Sequence, residues 1–599
     1  MADPDHKWSS FQRLRIKPGR FSERARRAET ATAKHAHQFL IERIHNAREV
    51  RRHIALWLLG MGVLIAIATV QLFLFHNSYT QVVGTEGGTY AEGVRGDIET
   101  LNPLYASTPG EQGAARLMFS SLFNYDENGN LKGDLAKRYT VLDEGRRYRV
   151  DLKPVAYWHD GQRVTAKDVM YTVDLIKNPS ARVAGSASWE NIKVERIDDH
   201  TIDFVLPAVY APFPNALTFS ILPEHILGEI EPSAVRDSPF SANPVGSGPF
   251  RFRLKQNVTA NEAYTVVHMT QNARYYNGSP KIERFQLHAY QTDDALTKAL
   301  RSHAVSAVSG LSSSSFELIR QTEEYGVRTQ PVNSGVYSLF NTRSDILADD
   351  KVRQALQIGT DTKQALDSLS INVEPLDAPI LSTQADVSDI SKPAYNKSKA
   401  KKLLSDAGWR MADDDTLQKD GKSLTLRVVS IKSVDYEPVV ANLAKQWRDL
   451  GITVNIQTVD TSDPTQNLAS SVLQPREFDV LIHEIYLGSD PDVYAYWHSS
   501  QASERGLNFS SYRNGIADDN LSSARLRLES DLRSAKYQAF VKQWYKDAPA
   551  IGLYQSQLNY AYTKSVNTFA PTARLVTPAD RFNNAIYWTV QQGTVYKTP

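Results

Sequence analysis

Cysteine is absent from all 599 residues. That excludes disulfides, thiolate metal sites, cysteine nucleophiles and a lipid attached through cysteine. Stability must then come from packing, and the redox compartment cannot be read from thiols. A basic excess is also missing from most of the chain. Residues 76–599 carry 55 Lys and Arg against 61 Asp and Glu, so no basic groove for nucleic acid is expected. His483-Glu484 lacks a second histidine four residues after the first, which excludes a zinc-protease helix. The glycine-rich stretch Pro244–Phe250 is not a phosphate cradle, because Pro249 removes a backbone donor where such a loop would open a helix.

Charge is absent from Ile54 to Phe75, IALWLLGMGVLIAIATVQLFLF. A helix of this length, at about 1.5 Å per residue, crosses a hydrocarbon core of roughly 30 Å. It satisfies its own backbone groups, and Trp57 lies near the interface. Residues 1–53 hold 13 Lys and Arg against 6 Asp and Glu. Positive flanks stay inside, so the expectation is a single-pass plasma-membrane protein with a cytoplasmic amino terminus and an extracytoplasmic body. The basic leader and apolar run are longer than a cleaved signal peptide requires. Residues 1–53 read as a basic tail, with a disordered start and a helix from Ser22 to Arg52. Residues 76–88 read as a glycine-bearing polar linker.

The body from 89 to 599 is too long for one core. Tyr148, Val150 and Leu152 alternate with Arg147, Arg149 and Asp151 in a half-buried strand. Thr165 caps a helix with Asp168 at capping-box distance. Ile192 and Val194, then Ile202, Phe204 and Leu206, form a strand pair across Asp198-Asp199-His200. Asn396 opens a helix that Gly408 stops. Leu424–Val428, a helix over 436–450 and Ile452–Ile456 form a strand–helix–strand unit, which points to a parallel sheet. The only low-complexity tract is Ser312–Ser315.

Several stretches together resemble the family 5 solute-binding proteins, the dipeptide- and oligopeptide-binding type that serve ATP-binding-cassette (ABC) importers. They are Gly133–Lys137, Tyr157–Gly161 with Thr165–Val169, Pro244–Phe250, Ala273–Gly278, Phe340-Asn341 with Lys351–Leu356, and Ala400–Gly408. Their order and spacing over some 400 residues carry the resemblance. It implies an α/β, two-lobed periplasmic-binding-protein-like fold (type II, cluster C) with an extra subdomain. Lobe I would take about 89–112, 218–330 and 556–599, the extra subdomain about 113–217, and lobe II about 331–555. It also places His159 and Asp160 on a surface turn.

The implied function is capture of a peptide or similar small solute, delivered to an ABC permease and its ATPase subunits by a tethered, monomeric, non-enzymatic protein. Neither cofactor nor metal is implied. The other classes are an extracytoplasmic enzyme acting on cell-wall material and a ligand sensor without transport. Peptide binders of the family often carry an Asp-Tyr-x-Asp-Pro segment whose first aspartate pairs with the peptide amine. Here the stretch is Leu487-Gly-Ser-Asp490-Pro, so Leu487 stands where that acid would be. Asp490 or Glu484 could serve instead, or the ligand could be a sugar or a blocked peptide. Tyr486, Asp490, Tyr494 and Trp497, with Asn341 and Tyr105, are the candidate ligand-binding residues.

Overall fold

In the computed structural model, residues 47–259, 263–461, 463 and 465–596 are described. Residues 1–46, most of the basic tail and the first part of the helix expected from Ser22, lie outside them. Residues Gly84–Gly593 form one compact unit, and Met1–Val83 with Thr594–Pro599 form another. In the latter, a 33-residue helix runs from Ala47 to Tyr79. Its stretch Arg51–His76 is long and apolar enough to cross a membrane, and none of it is buried against protein. The expected linker instead contains the helix end and a strand, Thr80–Thr85, which pairs with Gln591–Tyr596.

The body is α/β and two-lobed. Its alternating and β-branched runs assemble into one ten-stranded sheet. At one end, Thr425–Ile431 and Thr453–Val459 are parallel, with Thr425 opposite Thr453, joined by the helix Tyr436–Arg448. This is the expected strand–helix–strand unit. Val480–Tyr486 follows, and then two long antiparallel strands, Gly326–Phe340 and Ala550–Tyr562. Beyond them lie Ala307–Ser309, Thr89–Arg95 and Arg284–Tyr290, and the meander through Tyr264–Gln271 and Phe250–Val258 closes the sheet.

The cores divide across the two long strands. Val332, Leu558 and Tyr560 pack into the core built on Tyr90, Phe285 and Trp588, whereas Val336, Phe340, Ile551 and Leu553 pack into the core around Trp447. A third cluster, around Trp497 and Trp544, backs the second lobe. Register shifts between Pro331 and Gly335 mark where the pair passes from one lobe to the other. A smaller antiparallel sheet, Ala136–Leu142, Arg147–Leu152, Thr201–Val205 and Lys193–Arg196, extends the first core. Its helix Ala166–Lys177 has the expected Thr165–Asp168 capping box.

The Pro244–Phe250 loop lies against the helix Pro109–Met118. Gly248 N donates to Met118 O at 2.8 Å, and a Cβ on Gly246 would lie 1.9 Å from Met118 O, so only glycine fits. His159 buttresses the loop from behind. Its Nε2 donates to Gly248 O at 3.0 Å, and its Nδ1 accepts from Gly246 N at 3.3 Å. Asp160 is turned to the surface, where it meets His225 Nε2 at 2.7 Å. Burial pushes the His159 imidazole down to about 4.

The chain ends of the body meet at a fully buried ion pair. Arg581 binds Glu92 Oε1 through Nε at 2.9 Å and Nη2 at 2.7 Å. Tyr90 Oη donates to Glu92 Oε2 at 2.8 Å. Glu92→Ala should cost about 3–5 kcal/mol, the usual penalty for leaving one half of a buried pair alone, read as a lower urea midpoint. For His159, the unfolded chain takes up its proton near pH 6.5 and the folded chain near 4. Stability is therefore full above pH 6.5 and declines as pH falls toward 4. His159→Asn should reduce that slope in denaturation curves taken across the window, and an unchanged slope would remove His159 from the account.

Candidate functional site

A cavity of about 870 Å³ opens between the two lobes, within the size range of small-ligand sites. The lobe I side of the cavity, including the start of the extra subdomain, contributes Leu104 and Ala106, Arg116, the turn Thr218–Ser220 and the segment Thr577–Ala579. Lobe II contributes Ser334, Tyr436, His483, Glu484 and Tyr486. Each has a local reason for its place. Arg116 lies in the last turn of Pro109–Met118, a helix begun by a Thr108–Glu111 capping box and held by the Pro244–Phe250 loop. Glu484 and Tyr486 share one face of Val480–Tyr486, two residues apart as the strand period requires, and Val480 and Ile482 continue that face into the core. Tyr436 opens the helix Tyr436–Arg448.

The rims are joined by polar contacts to lobe II, from lobe I on one side and from the extra subdomain on the other. Ser313 donates its backbone N to Asp435 Oδ1 at 3.0 Å, and its hydroxyl meets the same oxygen. On the other side, Ser489 Oγ donates to Asn215 Oδ1 at 2.7 Å, and Tyr210 Oη donates to Asp492 Oδ2 at 3.0 Å.

Two of the acids near the 486–497 segment are neutralised within the fold. Asp490 meets Arg533 Nη2 at 2.6 Å, and both side chains are largely buried. Burial holds the Asp490 carboxyl above its ordinary value, and the Arg533 guanidinium offsets only part of that rise. Asp492 meets Arg525 Nε at 2.8 and 2.9 Å. Across the cleft, Arg116 meets Asp580 at 2.9 Å. Burial also pushes the His483 imidazole down, so it is neutral at pH 7. Among the described residues, no group of three or more His, Asp or Glu is placed to hold a metal ion.

Of the six residues named from the sequence, Tyr486 lines the cavity, with 46% of its surface exposed. Tyr105 lies between two wall residues, but its hydroxyl donates to Ala181 O at 2.9 Å and Arg236 sits over its ring. Tyr494 is stacked on His498 and lies under Arg525, beside a smaller cavity of about 430 Å³ that also includes Tyr210. Trp497 is 1% exposed and packs edge-on against Tyr337 and Trp544. Asn341 is buried too. Its Nδ2 donates to Phe478 O at 2.9 Å and its Oδ1 accepts from Arg343 N, holding a turn. Asp490 is tied to Arg533. The structure thus brings Tyr486 to the cavity and spreads the other five over its surroundings. Leu487 is 3% exposed in the core with Ile485 and Trp497. Arg116 and Tyr436 were not singled out from the sequence, because no motif spacing marks them, and His483 was weighed only as part of a zinc-protease helix, not as a wall residue.

Trp497→Ala should destabilise the ligand-free protein by about 3–5 kcal/mol, the usual range for a large aromatic removed from a core. Asp490→Ala should cost about 1–3 kcal/mol by leaving a largely buried guanidinium without its partner. Thermal melts check both; unchanged melts would return these two side chains to the ligand surface.

The family model for bacterial extracellular solute-binding proteins, family 5, matches residues 130–506. The oligopeptide-binding protein AppA of Bacillus subtilis is 27% identical over 497 residues, covering 81% of this chain and 89% of that protein. A putative ABC transporter peptide-binding protein of Brucella ovis is also 27% identical, covering 80% and 88%. The solved structure of Bacillus subtilis AppA in complex with a nonapeptide superposes with a TM-score of 0.71 at 25% identity, covering 84% of this chain and 99% of that one.

Proposed function

Because the chain belongs to the bacterial extracellular solute-binding proteins of family 5, we propose that it captures a peptide or similar small solute and delivers it to an ABC-type import permease. The observation that carries this reading is the inter-lobe cavity, whose walls come from both lobes. A ligand held by both walls stabilises the closed arrangement by its differential affinity for it. The two long strands are the natural hinge, since they are the part of the sheet shared by both cores. In this reading lobe I takes about 89–112, 218–330 and 556–599, the extra subdomain 113–217 and lobe II 331–555. Relatives described as peptide-binding support the ligand class.

The protein works as a monomer tethered by residues 54–75, with the basic tail inside and the body outside. The helix serves where a lipid on cysteine would otherwise anchor the body. Tethering keeps the body close to its permease, which raises the effective concentration of the pair.

Full-length protein extracted gently into lipid nanodiscs should carry ligand through purification. Mass spectrometry of the denatured eluate should find peptides or small polar solutes in near-stoichiometric amount. Protease added to intact cells should digest the body and spare residues 1–53. A body released into the medium by cleavage near Ala68 would overturn the tether, and turnover of cell-wall fragments would overturn the binding role.

A further inference from the structure

We propose that Glu484 is the acceptor for a cationic amine on the ligand, in place of the acid missing at position 487. This rests on the binding role proposed above and specifies its ligand chemistry. The argument begins with what position 487 is doing. Leu487 lies in the core, and its backbone N donates to Asn333 O at 2.8 Å. An acid there would enter an apolar cluster, so the position cannot regain the role by a small adjustment.

The nearby acids are then accounted for one by one. Asp490 is paired with Arg533, Asp492 with Arg525 and Asp580 with Arg116. Asp435 receives the Ser313 donors at the start of the helix Ser313–Arg320. Glu484 differs from all of these. Among the described residues it is the one acid lining the cavity, and no salt bridge neutralises it. Its one hydrogen bond among them comes from Ser334 Oγ, which donates to Oε1 at 2.5 Å. That contact orients the carboxylate and supplies no charge. A carboxylate has about four lone-pair sites, so one hydroxyl leaves acceptor capacity for an ammonium.

The surroundings favour a cation here. His483 is neutral and the Arg116 charge is balanced by Asp580, so Glu484 sets the sign of the field in the cavity. The effect reaches the walls: after burial, its charge is the next contributor raising the Tyr436 phenol. Glu484 is exposed to the cavity, so an incoming ammonium can reach it, and one brought between the lobes without an acid would not be held. Tyr436 and Tyr486 line the same cavity, and aromatic rings also suit a cation.

The test uses the full-length protein in nanodiscs, incubated with an equimolar set of tri- to nonapeptides bearing free amino termini and with the same set acetylated. The lysine-free members isolate the terminal amine. Retention after gel filtration is read by mass spectrometry. The wild type should retain free over acetylated peptides by roughly tenfold or more, as one charge-assisted contact implies. Glu484→Gln should bring that ratio close to one with an unchanged melting temperature when ligand-free, and Glu484→Asp should recover part of it. Equal retention of both sets by the wild type, or a preserved ratio in Glu484→Gln, would overturn the assignment while leaving the binding role intact. Retention of neither set would overturn the peptide reading itself, and the amine anchor with it.

Discussion

The body depends on two strands that are each shared between two cores. Gly326–Phe340 and Ala550–Tyr562 pair along most of their length, yet their side chains belong to one lobe at one end and to the other lobe at the other. A sheet of this kind resists stretching and shear, because its ladder hydrogen bonds cannot be exchanged cheaply. It bends and twists most readily where the register is already interrupted, between Pro331 and Gly335. Asn333 occupies that interruption and ties it to both sides. Its backbone N donates to Leu575 O, and its Nδ2 donates to Gly488 O at 2.8 Å. The interruption is thereby tied to the segment before Thr577–Ala579 on one wall and to the turn after Tyr486 on the other.

Charge placement follows from the same arrangement. The Glu92–Arg581 pair is satisfied on nearly every side and fixes the carboxyl-terminal segment that forms part of the lobe I wall. Asp580, one residue away, caps that segment through Thr577 and also holds Arg116. Lobe II repeats the device with Asp490–Arg533 and Asp492–Arg525. These pairs contribute order where an unpartnered charge would be costly. The contrast with Glu484, which a single hydroxyl holds, separates an acid that supports the wall from one that faces the contents.

The local elements were legible because their causes are local. The Thr165–Asp168 box, the Asn396 cap and the alternation at Tyr148–Leu152 and Ile202–Phe204 depend on residues a few positions apart. The family pattern was legible for another reason: its glycines and turns answer to close approaches, such as Gly246 against Met118 O, that allow no substitute. The extended pairing at Thr80–Thr85 was not, since its partner strand begins more than five hundred residues later. The same limit explains the site. Aromatic rings and an acid gathered at 486–497 suggested a ligand surface. Yet Trp497 and Asp490 answer to Trp544 and Arg533, which the sequence places some 45 positions away.

The sequence by itself determined the membrane-length apolar run, the basic flank, the α/β class and the family, all from composition, period and short motifs. It also determined that position 487 carries no acid. Only the tertiary structure decided which side chains face the cleft. Alternation says that Glu484 and Tyr486 share a face, but not what lies opposite. Charge counting says that acids are present, but not which are neutralised. Both are settled by contacts between segments far apart in the chain, brought together when the two lobes fold around the strands they share.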